Sequence, residues 1–311
     1  MGYTDFLKDR HSRRRLVIWY DGRYLLFDPE ELCIIPLSES QLVEKSYNFD
    51  NSMGIDNDEP NKDSHESQDW LNLIFNVTNR CNLACPYCYA HPNTQDKPDI
   101  SATAIINLIN RYNKDKFNRL YISFTGGEPC IVHNTIKRVV EEVNDGLHFS
   151  FHLTTNGTCS ASFLDFLTSR KFDLTVSSDG IPEIQNIQRP LLVQKDSCNA
   201  RSSEFVASTV KYLAESTMLF QVRTTLTRLN IETFPEAIDY WADLGVKFVH
   251  FEIVDEPNTS NESSTVKRPS FNRYVEKLEQ AIQRAQERGV YLINSAIMNL
   301  LRDTEISIIP F

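Results

Sequence analysis

The stretch NVTNRCNLACPYCYA, residues 76–90, holds Cys81, Cys85 and Cys88 in the spacing C-x3-C-x2-C. It continues directly from the apolar run LIFNVT, residues 73–78, which reads as a β-strand, so the three thiols fall in the loop at a strand's carboxyl end. Thiolates are the usual protein ligands of iron–sulfur clusters, one to each iron. Three of them would hold three irons of a cubane and leave the fourth open to a ligand from outside. A second reading is a zinc site completed by His91, three residues after Cys88. A closed zinc site would leave the polar, glycine-rich motifs at other strand ends unexplained. A third reading is three buried thiols acting as small apolar side chains.

Outward from this loop, β-rich runs alternate with amphipathic helical patterns. LYISFT (120–125), HFSFHLTT (148–155), DLTVSS (173–178), FQVRTTLT (220–227) and KFVHFEIV (247–254) complete six βα units, which predict an α/β fold with a parallel sheet. One helix is expected from about Phe234, with Pro235 in its first turn and Gly245 at its end. Another is expected after Ser270 as N-cap, with Phe271, Tyr274, Val275, Leu278, Ile282 and Ala285 on its apolar stripe. Gly126, Gly127, Gly157 and Gly180 follow predicted strand ends, the edge at which parallel α/β sheets bind ligands.

Ahead of this core, RLVIWYDGRYLLF (15–27) reads as a hairpin around Asp21-Gly22. Residues 45–69 are polar and acidic, too poor in apolar side chains to offset the entropy of ordering. The expected organisation is a small N-terminal β element over residues 1–46, an acidic flexible linker over 47–69, a core over 70–260, and a C-terminal helix and tail over 261–311.

The 311 residues are 41% hydrophobic and carry a formal net charge of −10. That balance, with no basic stripe, argues against nucleic-acid binding. No run approaches the roughly 18 apolar residues of a membrane span, and no signal-peptide pattern opens the chain, so a cytoplasmic protein is expected. Phe6 stands where an N-myristoylation motif at Gly2 would need Ser or Thr. Seven cysteines, an odd number, point to metal or redox chemistry rather than a disulfide framework.

NVTNRCNLACPYCYA resembles the cluster loop of radical S-adenosylmethionine (radical SAM) enzymes, CxxxCxΦC, with Tyr87 as the aromatic Φ. The resemblance implies a partial (β/α)6 barrel in which Cys81, Cys85 and Cys88 hold a [4Fe–4S] cluster whose fourth iron is chelated by S-adenosyl-L-methionine. TGGEP, Thr125–Pro129, is similar to the family's GGE motif, so Gly126, Gly127 and Glu128 would receive the methionyl ammonium. Gly-Gly and Glu-Pro also mark ordinary turns. TTNGT, Thr154–Thr158, resembles the third strand end, where Thr155 and Asn156 would face the cosubstrate. SSDGIPEIQNIQRP, 177–190, resembles the S-x-D-G…H-D-x-x-R segment of sulfatase-maturing and peptide-modifying members. It places Ser178 at the ribose and Arg189 at the carboxylate, although Gln185 and Asn186 replace the family's His and Asp. In RTTLTRLN, Leu226 is the candidate to pack on adenine, and it also suits a plain core position.

The resemblance covers about residues 71–255 and implies radical chemistry. The reduced cluster splits the sulfonium to a 5′-deoxyadenosyl radical, which abstracts hydrogen from a peptide or protein substrate. Cys130, Cys159 and Cys198 are candidates to donate hydrogen to a substrate radical, or buried small hydrophobes. No cysteine follows Cys198, so auxiliary clusters on the usual ligands are not expected in this chain. The N-terminal hairpin could grip a leader peptide by strand addition or simply cap the barrel. The basic stretch from Lys8 to Arg15 could meet a flavodoxin- or ferredoxin-type electron donor, or be a solvated tail. The rival class is a non-catalytic zinc-binding module, and within the same chemistry a small-molecule substrate or sulfatase maturation stays open.

Overall fold

The computed structural model describes residues 5–8, 14–20, 23–28, 33–37, 70–90, 92, 98–112, 119–143, 148–192, 201–216, 218–255 and 266–295. His91, Cys198 and the expected linker over 47–69 lie outside the described residues. The chain divides into two units, residues 1–65 with 294–311, and residues 66–293.

In the first unit β1 (Asp5–Lys8), β2 (Arg14–Tyr20), β3 (Arg23–Asp28) and β4 (Cys33–Leu37) form an antiparallel sheet in that order. Tyr20 pairs with Arg23, the strand register expected of a hairpin, and Asp21-Gly22 themselves lie outside the described residues. The predicted hairpin is thus the centre of four strands. The two outer ones span only 4 and 5 residues, too short for an alternation to be read. Pro36 sits in outermost β4, where a missing N–H is tolerated.

The second unit alternates strands and helices: β5 (Trp70–Thr78), α1 (Ala102–Tyr112), β6 (Arg119–Gly126), α2 (His133–Glu142), β7 (His148–Thr155), α3 (Ala161–Ser169) and β8 (Asp173–Ser177). After β8 come α4 (Pro182–Gln188), α5 (Ser202–Glu215), β9 (Phe220–Leu226), α6 (Phe234–Asp243), β10 (Phe248–Ile253), α7 (Phe271–Arg288) and β11 (Tyr291–Ile293). The strands lie in chain order from β5 to β11 and every neighbouring pair is parallel. All six predicted strands are present. The seventh, of three residues, continues the βα series into the segment expected as helix and tail.

Strand alternation gives the sheet two unlike faces. On β5, Phe75 and Val77 are buried against the helices while Asn72, Ile74 and Asn76, of the opposite parity, are exposed. The helices answer at 3 and 4 residue steps, with Ile105 and Ile109 on α1, Ile136 and Val139 on α2, and Val206, Val210 and Leu213 on α5. Phe124, Phe151 and Phe172 pack with ring centroids 5.3–6.4 Å apart between sheet and helices. In α7 the stripe differs from expectation: Ala281 and Ala285 are the buried residues, and Phe271 is 77% exposed. Ser270 holds the N-cap position, but its hydroxyl makes no cap bond, and its carbonyl accepts from the N–H of Tyr274 at 2.9 Å.

Candidate active site

Near the end of β5 the register with β6 shifts between Asn76 and Thr78, and the chain leaves the sheet into the cysteine loop. Residues 79–90 are fastened on three sides. Toward β6, the N–H of Gly127 donates to the carbonyl of Thr78 at 2.7 Å and that of Glu128 to the carbonyl of Arg80 at 2.8 Å. A Cβ on Gly127 would lie 2.2 Å from the Arg80 oxygen, and one on Gly126, at φ +136°, would lie 2.4 Å from the Thr78 oxygen. The Gly-Gly pair is therefore what lets the two loops touch through their backbones.

Toward β7, Asn156 Nδ2 donates to Asn82 Oδ1 at 2.9 Å and lies 3.7 Å from Cys81 Sγ, while Asn82 Nδ2 donates to Thr158 Oγ1 at 2.9 Å. Beyond α4, buried Leu83 bridges to Leu191, with the N–H of Ala84 on the carbonyl of Pro190 at 2.8 Å and that of Leu192 on the carbonyl of Asn82 at 2.9 Å. Cys81, Cys85 and Cys88 are not disulfide-bonded and lie partly buried on this fastened loop. Burial raises the Cys81 thiol pKa and pushes that of Cys85 up to about 12. A cationic metal would supply the countercharge that buried thiolates need.

Glu128 is 1% exposed and ties β6 to β7. Oε1 accepts from the N–H of Cys130 at 2.9 Å and the hydroxyl of Thr155 at 2.7 Å, and Oε2 accepts from the N–H of Asn156 at 2.6 Å. Burial lifts its pKa to about 7 against the pull of those donors. Thr155 and Asn156 are thereby fixed beside the cysteine loop, as Gly126 and Gly127 are.

The residue that sequence reasoning left without a role is Asp179, the acid of S-x-D-G. Its side chain is fully buried and receives Arg189 Nε at 2.9 Å and Nη2 at 3.2 Å, Gln188 Nε2 at 3.0 Å, the N–H of Thr225 at 3.1 Å, and the hydroxyl of Tyr87. The Arg189 guanidinium lies 5.4 Å from the centre of the Tyr87 ring. Burial works against the Arg189 charge, but the facing Asp179 carboxylate prevails and raises its pKa. The available signal was an acid ten residues ahead of an arginine in a segment otherwise short of charge. Gln185 and Asn186 serve the backbone: Gln185 Oε1 accepts from the N–H of Asp179 at 2.7 Å, and Asn186 Oδ1 from the N–H of Ser203 at 3.0 Å.

Other candidates fall elsewhere. Ser178, 1% exposed, lies on the helix side of the sheet, its hydroxyl accepting from Trp241 Nε1 at 3.0 Å. Leu226, fully buried, is part of the helix-side core. Alternation turns Ser177 and Thr225 to the other face instead. Cys130 and Cys159 are joined in a disulfide with Cα atoms 5.3 Å apart, so in this state neither has an S–H to donate. This departs from the expectation of separate thiols. Each cysteine lies just beyond the end of one of two adjacent parallel strands, a juxtaposition that their separation of 29 residues does not reveal. No described helix is long and apolar enough to cross a membrane.

A family model described as the radical SAM superfamily matches residues 75–239, just over half of the chain. An uncharacterized protein of Methanocaldococcus jannaschii is 29% identical over 211 residues, 66% of this chain and 70% of that protein. A cysteine-type anaerobic sulfatase-maturating enzyme of Clostridium perfringens is 24% identical over 191 residues, 58% of this chain and 50% of that enzyme. The match thus spans only half the length of that relative. Among solved structures, Streptococcus suis SuiB bound to precursor peptide SuiA is similar in fold, with a TM-score of 0.56 and 15% identity over 87% of this chain and 69% of SuiB.

Proposed function

Because the chain belongs to the radical SAM superfamily, an enzyme family whose cofactors are a [4Fe–4S] cluster and S-adenosylmethionine, we propose that Cys81, Cys85 and Cys88 hold the cluster and that the substrate is a peptide or protein. When bound, the cluster supplies an electron to the sulfonium and the cosubstrate supplies the 5′-deoxyadenosyl radical that takes hydrogen from the substrate. The chain's own work is binding, orientation and exclusion of water. The observation that carries this reading is a single loop bearing three thiols outside any disulfide, fastened through its backbone to Gly127 and Glu128 and through side chains to Asn156.

In this reading the Gly126-Gly127 backbone receives the cosubstrate's ammonium, and Glu128, expected from the motif to share that role, instead fixes the strand end beside it, its buried carboxylate already taken by Cys130, Thr155 and Asn156. Arg189, already oriented by Asp179 through Nε and Nη2, offers its charge to the carboxylate. Tyr87 is a positioning residue that steadies Arg189 and Asp179 from within the cysteine loop. An edge of the N-terminal four-stranded sheet would take up a leader peptide by strand addition. A peptide substrate accords with what is named for two similar proteins: one matures sulfatases, and the other was solved with a precursor peptide. A flavodoxin- or ferredoxin-type donor would deliver the electron.

The test is anaerobic reconstitution with iron and sulfide, then dithionite, S-adenosylmethionine and short peptides encoded beside the gene. The expected result is a brown protein that releases 5′-deoxyadenosine, with neither property in the Cys81/Cys85/Cys88→Ala variant and a retained cluster in His91→Ala. A colourless protein holding one tight zinc would overturn the assignment.

A further inference from the structure

The sheet face turned away from the helices carries a polar network that the cofactor assignment does not use. On β9, Gln221, Arg223 and Thr225 alternate with buried Phe220, Val222, Thr224 and Leu226. Gln221 Nε2 donates to Thr175 Oγ1 at 2.9 Å, and His152 Nε2 lies 3.0 Å from the same oxygen with Tyr121 stacked on its ring, which puts these groups on one face across β6 to β9. Arg223 stands at the centre, in register with Ser177 on β8 and His250 on β10.

The charges on this face are unequally shared. The acids are engaged, Glu252 with His250 Nε2 at 2.8 Å and Asp173 with the hydroxyl of Tyr121 at 3.3 Å. Burial foremost, and the charge of Arg223 after it, pushes the His152 pKa down to about 4. For His250, burial and Arg223 together outweigh the raising effect of Glu252, so its pKa is lowered as well. Neither ring then shares the cationic role at neutral pH. Among the described residues no carboxylate forms an ion pair with Arg223, which is exposed. Asn72, Asn76 and Ser150 on the same face are exposed too, while Ser123 and Thr175 are buried, so a ligand reaches the face at Arg223 rather than over its whole width.

Position relates this cation to the site above. Arg223 is three residues before the end of β9, about 10 Å below the edge at ~3.3 Å per residue. At that edge the N–H of Thr225 is held by Asp179, the acid that also binds Arg189 and Tyr87. That ~10 Å is about what an arginine side chain and a short acid or one acidic side chain span together.

We propose that Arg223 is a specificity-determining residue that binds a carboxylate of the substrate, so that the enzyme works on an acidic residue of a peptide or on a small free acid. This rests on the radical SAM reading for the reaction itself, but the binding can be tested without turnover. The reconstituted enzyme with S-adenosylmethionine and no reductant is treated with phenylglyoxal, an arginine-selective reagent, and modification of Arg223 is followed by peptide mass spectrometry, with exposed Arg138 as internal control. The probes are the capped tripeptide acetyl-Gly-Glu-Gly-amide, its Gln counterpart, and glutarate, each at millimolar concentration. With a carboxylate probe at about ten times its Kd, modification of Arg223 is expected to slow about tenfold while Arg138 is unaffected. Slowing by the Glu tripeptide and not the Gln one assigns a peptide-borne carboxylate. Slowing by glutarate alone assigns a free acid. Equal rates at Arg223 with the acidic and amide probes would overturn the proposal, as would an Arg223→Gln enzyme that turns over an acidic substrate with unchanged KM. Absence of 5′-deoxyadenosine would instead strike the underlying reaction and leave the protection data standing.

Discussion

Glu128 sits in near-complete burial with three donors on its carboxylate, and its pKa stands at about 7 against an ordinary 4.5. A carboxyl whose folded pKa lies above its unfolded one favours folding while protonated. Its contribution is full below the unfolded pKa and is lost as pH rises through the folded one. Replacing it in the apoprotein by Glu128→Gln should therefore flatten the fall in stability between pH 4.5 and 7 by about 3 kcal/mol, at 1.36 kcal/mol per unit. Urea titrations across that range check it, and parallel pH slopes for the two proteins would show an ordinary carboxyl. The thiols divide at the same scale. Alkylation of unfolded, unreduced apoprotein should label Cys81, Cys85 and Cys88 and spare Cys130 and Cys159. Labelling of all five would mean that the pair is reduced in solution.

Among the elements, α4 matters less as a helix than as the arm that swings Gln188 and Arg189 back onto Asp179 and delivers residues 190–192 to the cysteine loop. Removing one partner of a buried ion pair strands the other charge, which typically costs about 3 to 5 kcal/mol. Asp179→Asn should lose close to that much stability. It should also speed amide exchange at Ala84 and Leu192, whose N–H groups hold the clip closed. Unchanged exchange there would separate the ion pair from the loop. Packing of β8 through its aromatic neighbours is a second such dependence. Phe172→Ala removes a ring that meets Phe124, Phe151 and Phe166, and a loss of about 3 to 5 kcal/mol is expected in denaturant melts.

For the whole molecule, seven parallel strands in chain order bring the carboxyl ends of β5 to β9 to one edge, and the motifs at those ends meet there although up to 147 residues separate them. The N-terminal unit is separate in this division. If it grips a leader segment, deletion of residues 1–46 should abolish turnover of a leader-bearing peptide and spare 5′-deoxyadenosine release without one. Equal loss of both would make the segment structural.

Six of the seven strands of the parallel sheet, the pairing of β2 with β3 and the cysteine loop were legible in the amino-acid sequence because each depends on neighbours along the chain: alternation, helical spacing, turn chemistry and ligand spacing are local properties. What only the tertiary structure decided was which distant groups meet and which way each side chain turns. Asp179 became the partner of Tyr87 and Arg189, Cys130 that of Cys159, and Ser178 and Leu226 turned to the helix side. Those outcomes depend on sheet register and on helix packing. A one-residue change of register reverses the facing of every side chain on a strand, and no local pattern records it.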